Sequence, residues 1–178
     1  MRSKTRRWGG ILVVAIISAI AAAHAMKSQA DENDDELVLA FSTMRGNLPH
    51  VDINGNVGAG APWVLRDGDG RLTDEGELNI RVRGLVLAPS VPGVGGTNPV
   101  PHFRAIVSCT TVDQTGASQI VNVATGPFPA DAHGNCRIDA DVKLPDPCYA
   151  PIVLVGPAAA NATPGVIPNG VWFAATGF

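Results

Sequence analysis

Cys136-Arg137-Ile138-Asp139-Ala140-Asp141-Val142-Lys143-Leu144 alternates small or apolar residues with charged ones from end to end. Successive side chains of an extended chain point to opposite faces, so Cys136, Ile138, Ala140, Val142 and Leu144 share one face. Arg137, Asp139, Asp141 and Lys143 share the other. A strand with one dry and one wet face belongs to an antiparallel sheet packed on one side only.

The same period recurs upstream. Phe103, Ala105, Val107 and Cys109 are expected inward, with Arg104, Ser108 and Thr110 toward solvent. Leu78, Ile80 and Val82 alternate with Asn79, Arg81 and Arg83. Gly84 breaks that parity, and a bulge there would return Leu85 and Leu87 to the core face. Shorter strands are expected at Leu37 to Ser42, His50 to Ile53, Pro62 to Arg66, Gln119 to Thr125, Tyr149 to Val155 and Val171 to Thr176. Gly, Pro, Asn and Asp punctuate these runs, and no stretch holds a helical period. The expected fold is all-β: a single β-sandwich, Ig-like or Greek-key, of about nine short strands over residues 37–178.

Two connections are long. Ala88 to Pro99 is expected to cross between sheets, and Gly156 to Gly170 has a similar composition. Nothing after Asp146 is charged, which predicts closing strands buried in the core, with a partner surface as the alternative. Trp172 and Phe173 fall on opposite faces of the last strand. The prolines of this region exclude a transmembrane helix.

Outward from the domain, the chain opens with Arg2, Lys4, Arg6 and Arg7, an uncharged run from Trp8 to Ala23, and Ala23-His24-Ala25. That order predicts a secretory signal peptide over residues 1–25, cleaved after Ala25 or after Ala30. An acidic, mobile lead-in over residues 26–36 follows. The protein is therefore expected to be secreted: extracellular, periplasmic or held at the cell surface. From Asp31 onward, eight basic residues face sixteen acids, a formal charge of −8 against −3 for the precursor. A chain this acidic, without a cluster of Lys or Arg, is a poor candidate for nucleic acid or anionic membrane, and no nucleic-acid partner is expected.

An exported chain permits disulfides. Of the three cysteines, Cys136 and Cys148 flank a predicted hairpin turning at Pro145-Asp146-Pro147. In that hairpin Cys136 lies on the order of 25 Å from the turn. A disulfide needs Cα atoms within about 7 Å. Cys109–Cys148 is therefore the expected bridge, with Cys136 a free buried thiol. Should the chain cross to the other sheet instead of turning back, Cys136 becomes an alternative partner.

Asp67-Gly68-Asp69-Gly70 reads as a tight hairpin turn. Its alternative is a surface calcium site at Asp67 and Asp69. An EF-hand frame fails there, since Arg71 and Leu78 fall where ligand oxygens are required. His50 with Asp52, and His133 with Asp131, are the other candidate metal pairs. Blue copper is excluded: Met44 is the only methionine after Ala30, and no histidine follows His133. No Gly-x-Ser-x-Gly elbow is present. No cofactor is expected, with calcium at Asp67 and Asp69 as the alternative.

Glu75-Gly76-Glu77-Leu78-Asn79-Ile80-Arg81-Val82-Arg83-Gly84-Leu85, Asn98-Pro99-Val100-Pro101, Val107-Ser108-Cys109, Pro127-Phe128-Pro129-Ala130, Leu144-Pro145-Asp146-Pro147-Cys148 and Trp172-Phe173-Ala174 follow one another along the domain. Together they resemble small exported bacterial proteins without an assigned activity. The resemblance lends no catalytic or binding residue. The sequence is thus read as a non-enzymatic binding module for a protein or carbohydrate ligand. The competing class is a secreted metal-binding protein or hydrolase using Asp67, Asp69, His50 or His133.

Overall fold

The computed structural model describes residues 36–177. The expected signal peptide and nearly all of the acidic lead-in lie outside them. The described chain is all-β. It runs through β1 (Leu37–Phe41), β2 (Arg45–Gly46), β3 (Asp52–Ile53), β4 (Asn56–Gly58) and β5 (Trp63–Val64). Next come β6 (Asp67–Thr73), β7 (Glu77–Arg83), β8 (Val86–Leu87), β9 (His102–Val112) and β10 (Ser118–Ala124). The last six are β11 (Phe128–Pro129), β12 (Cys136–Asp141), β13 (Tyr149–Pro157), β14 (Gly165–Ile167), β15 (Val171–Trp172) and β16 (Ala174–Ala175).

Two sheets form the sandwich. One is four-stranded and antiparallel, ordered β1-β6-β7-β12. The other is seven-stranded, ordered β14-β10-β9-β13-β16-β2, with β11 alongside β9. Between them lies the main core. The four-stranded sheet contributes Leu72, Leu78, Ile80, Val82 and Ile138; the seven-stranded sheet contributes Phe103, Val107, Val123, Val153 and Val155. Trp63 stacks on Phe173 with ring centroids 3.8 Å apart, and Phe103 meets Phe173 edge-on. Each such aromatic contact adds roughly 0.5–1.5 kcal/mol to the burial itself.

The seven-stranded sheet is covered on its other face too. A small sheet of β3, β4 and β15 lies there, and Ile106, Leu154 and Trp172 form a second core with Ile53 and Ile167. Ser108, expected at the solvent, is consequently buried, and the Asn54 side-chain amide donates to its hydroxyl at 2.9 Å. Asn56 and Asn122 meet in the same layer through a buried 3.0 Å hydrogen bond. A strand's periodicity reports what its own residues prefer, and cannot show that another segment will lie over the polar face.

Four further expectations are corrected. Asp67 to Gly70 is not a turn but the first half of β6, paired with β7 from Asp67↔Arg83 to Leu72↔Leu78. Its glycines occupy the alternate positions because neighbours fill the room a side chain would need. Met44 Cγ lies 3.0 Å from where a Gly68 Cβ would sit, and the Phe41 ring 2.6 Å from that of Gly70. The turn falls later, at Gly76, with φ of 91°. At Gly84 there is no bulge: β7 ends, Gly84 adopts φ of 67°, and β8 pairs with β5 instead. That departure is what buries Leu85 and Leu87.

The hairpin at Pro145-Asp146-Pro147 does not form. β12 pairs with β7, whereas β13 pairs with β9, so the chain crosses between the sheets there. Cys109 and Cys148 are nonetheless bridged, with Cα atoms 5.1 Å apart, and Cys136 is a free, buried thiol. The pairing of β13 with β9, which reaches Tyr149 opposite Thr110, brings the chain at Cys148 onto the seven-stranded sheet within bridging distance of Cys109. Finally, Val171 to Thr176 is two short strands, not one. β15 runs parallel to β4 and β16 antiparallel to β13, which sends Trp172 into the second core and Phe173 into the main one.

Candidate functional site

β6, β7 and β12 present their charged residues on the face turned away from the core. The register sets them in rows. Asp69 lies opposite Arg81, and Arg81 opposite Arg137, so one row crosses three strands. In the next row Arg71 lies opposite Asn79, and Asn79 opposite Asp139. A groove of about 280 Å3 follows these rows, lined by Asp69, Arg71, Asn79, Arg81 and Arg137, with Phe41, Gly70 and Ile80. Asp69, Arg71, Asn79 and Arg81 stand on the interior strands β6 and β7, each with a backbone ladder on both sides, whereas Phe41 and Arg137 stand on the outer strands β1 and β12.

Its electrostatics are unevenly settled. Arg71 pairs with Glu77 at 3.2 Å, and Asn79 also donates to that carboxylate. Arg83 pairs with Asp67. Those are the two ion pairs among the described residues. Arg81 and Arg137, directly opposite one another, have none.

The sequence candidates separate accordingly. Asp69 lines the groove. Asp67 stands beside it, engaged with Arg83. His50 lies in the turn before β3, with φ of 64°. Its neighbour Asp52 accepts the Gly55 N–H at 3.0 Å and so closes the β3–β4 turn. His133 lies between β11 and β12, where Asp131 Oδ1 accepts the backbone N–H groups of His133 and Asn135. Asn135 donates to Asp131 Oδ2 as well. These Asn135 hydrogen bonds, its N–H first, hold the Asp131 carboxyl below the usual carboxylate range. The spacing that suggested metal ligands therefore serves turns. Among the described residues no group of three or more His, Cys, Asp or Glu is placed to hold a metal ion.

Two other polar groups stand apart from the groove. Burial lowers the Arg104 pKa, and its Nε is a buried donor without a partner. Burial, and then the nearby Asp131 charge, push the Cys136 thiol up to about 12, which keeps it protonated and unreactive at neutral pH.

Sequence reasoning did not single out Phe41, Asn79, Arg81 or Arg137. The outward phase of Arg81 and Arg137 was legible. That β7 and β12 are neighbours was not, because nothing local reports pairing across a separation of that length. Comparison of the chain with protein-family models, with curated proteins and with solved structures found no match.

Proposed function

We propose that the mature chain is an exported, non-enzymatic binding module that acts at or beyond the cell surface and takes its ligand in the groove on the four-stranded sheet. The observation that carries this reading is the row Asp69–Arg81–Arg137. It lines up fixed charges of both signs on one sheet face, and neither of its two arginines forms an ion pair. A concave surface on which a small number of polar groups converge is the usual setting of a binding site. The signal-like leader supports the location.

The test is a thermal-shift screen of the mature protein against soluble saccharides and peptides, with Asn79→Ala and Arg81→Gln as groove variants. A ligand that raises Tm in the parent and not in the variants is the expected result. Hits that the variants retain, or that the protein converts to products, would overturn the reading. Metal analysis of protein purified without a histidine tag separates it from the metal-carrier class, which requires stoichiometric metal, and conversion of a screened compound to products would mark the hydrolase class. For the leader, N-terminal sequencing of the native product should begin at Met26 or Asp31. An intact Met1 in a cytosolic fraction would refute export.

A further inference from the structure

We infer that Arg81 and Arg137 together read a carboxylate, and that the ligand is an acidic oligosaccharide whose uronate carboxylates are spaced by neutral hydroxyls. The inference rests on the binding-module reading and names the ligand class for the same groove.

Directly opposed residues on neighbouring antiparallel strands have Cβ atoms roughly 4.5–5.5 Å apart, and like charges so placed destabilise a sheet. Arg81 and Arg137 stand in that relation. The acids that offset Arg71 and Arg83 are Glu77 and Asp67, and neither pairs with the opposed two. An anion lying between the two guanidinium groups would turn their repulsion into two charge-assisted hydrogen-bonded contacts. The planar forks suit a carboxylate, which each can grip with parallel N–H donors.

The remaining groups narrow the class. Asp69 continues the row and Asp139 lies in the next one, so a densely charged polymer such as a polyphosphate would meet like charge on either side. A saccharide with one carboxylate per ring would not, and Asp69 and Asn79 would accept from and donate to its hydroxyls. An acidic peptide fits less well. β6 and β7 are interior strands whose backbone groups are consumed by the ladders, so a peptide could add as a strand only at the edge strand β12, beside the groove and not along it. The groove's 280 Å3 is at the small end of ligand sites, roughly 300–1,000 Å3, so it grips one short unit of a longer chain.

The experiment titrates the mature protein with oligogalacturonate, with its fully methyl-esterified form, and with poly-glutamate, by calorimetry. Oligogalacturonate should bind, and the neutral ester should bind at least tenfold more weakly. Arg81→Gln and Arg137→Gln should each weaken oligogalacturonate binding about tenfold or more, whereas Asp69→Asn should preserve or tighten it. Arg137→Gln should melt at or about 2 °C above the parent temperature without ligand, because it removes the repulsion, whereas Arg81→Gln also removes the attraction to Asp69 opposite and should melt within about 2 °C of the parent. Equal binding of acid and ester, lost on Asn79→Ala, would leave the groove reading standing and refute the carboxylate. Poly-glutamate binding more tightly than oligogalacturonate would refute the saccharide. No binding of oligogalacturonate, or a lower ligand-free Tm in both arginine variants, would also overturn the inference. If no member of the wider saccharide and peptide screen binds either, the groove reading falls with it.

Discussion

β9 and β7 are both antiparallel strands, yet β9 is dry on both faces over most of its length and β7 on only one. From Phe103 to Cys109, every β9 residue except the half-buried Arg104 is buried. In β7 only Leu78, Ile80 and Val82 are, and the residues between them face the groove. The seven-stranded sheet, clamped between two cores, carries the fold. The four-stranded sheet packs one face and leaves the other free for charge, where substitutions should cost little stability. Burial of a large side chain contributes about 1.5–3 kcal/mol, whereas an exposed ion pair contributes about 0–1.

The sharpest way to break this contrast is at the C-terminus. A chain ending at Asn169 loses Trp172, Phe173, Ala174 and Ala175, all buried and shared between the two cores. It also loses the Phe173 N–H bond to Val155 and the Trp172 Nε1 bond to Asn56 O. Such a chain is expected to be insoluble or to show no cooperative melting transition. An unchanged Tm would mean that the seven-stranded sheet stands without its closing strands.

Next in size is the covalent tie on the same sheet. Cys109–Cys148 closes a separation of 39 residues, for which chain entropy predicts about 4 kcal/mol. Cys109→Ala should lose about 2–5 kcal/mol by denaturant unfolding. A loss below 1 kcal/mol would show that the β9–β13 pairing needs no tie. Within the covering layer, Asn122→Ala leaves the buried Asn56 amide without one acceptor and should cost about 1–3 kcal/mol.

Cys136, on the core side of β12, gives a smaller and pH-dependent effect. Its thiol is raised in the folded chain from an ordinary 9.0 to about 12. Between those values the unfolded chain has released a proton that the folded chain retains. The contribution is therefore complete below pH 9.0 and is lost as pH rises toward 12. Cys136→Ala should cost about 1 kcal/mol at neutral pH and flatten the alkaline fall in stability. An unchanged alkaline slope would place the cause elsewhere. Smallest of all, Asp67→Asn on the wet face should change stability by less than about 1 kcal/mol. A larger loss would show that the outer face shares in holding the fold.

Much of the architecture was open to reading from local pattern. The alternation around Ile80, Val107 and Ile138 announces an all-β chain and its main core, because a strand that packs one face must repeat every second residue. β6 carried the same period in Asp67-Gly68-Asp69-Gly70-Arg71-Leu72, but glycine at the inward positions disguised it as a turn. Those glycines answer to Phe41 and Met44, which approach from other segments. Ser108 and Gly84 deceived in the same way: one is covered by the β3–β4 hairpin, the other redirects the chain into a different ladder.

The sequence by itself determined the strand period, the inward residues, the acidity of the chain from Asp31 onward and the presence of aromatics that must be buried near its end. Those are properties of single residues and their immediate spacing, where hydration and backbone geometry decide the outcome. Only the tertiary structure decided which strands are neighbours, and with that the Cys109–Cys148 bridge, the second core beneath Trp172 and the row Asp69–Arg81–Arg137. Pairing depends on which distant segments jointly bury the most apolar surface with their backbones satisfied, a balance that no short stretch of chain contains.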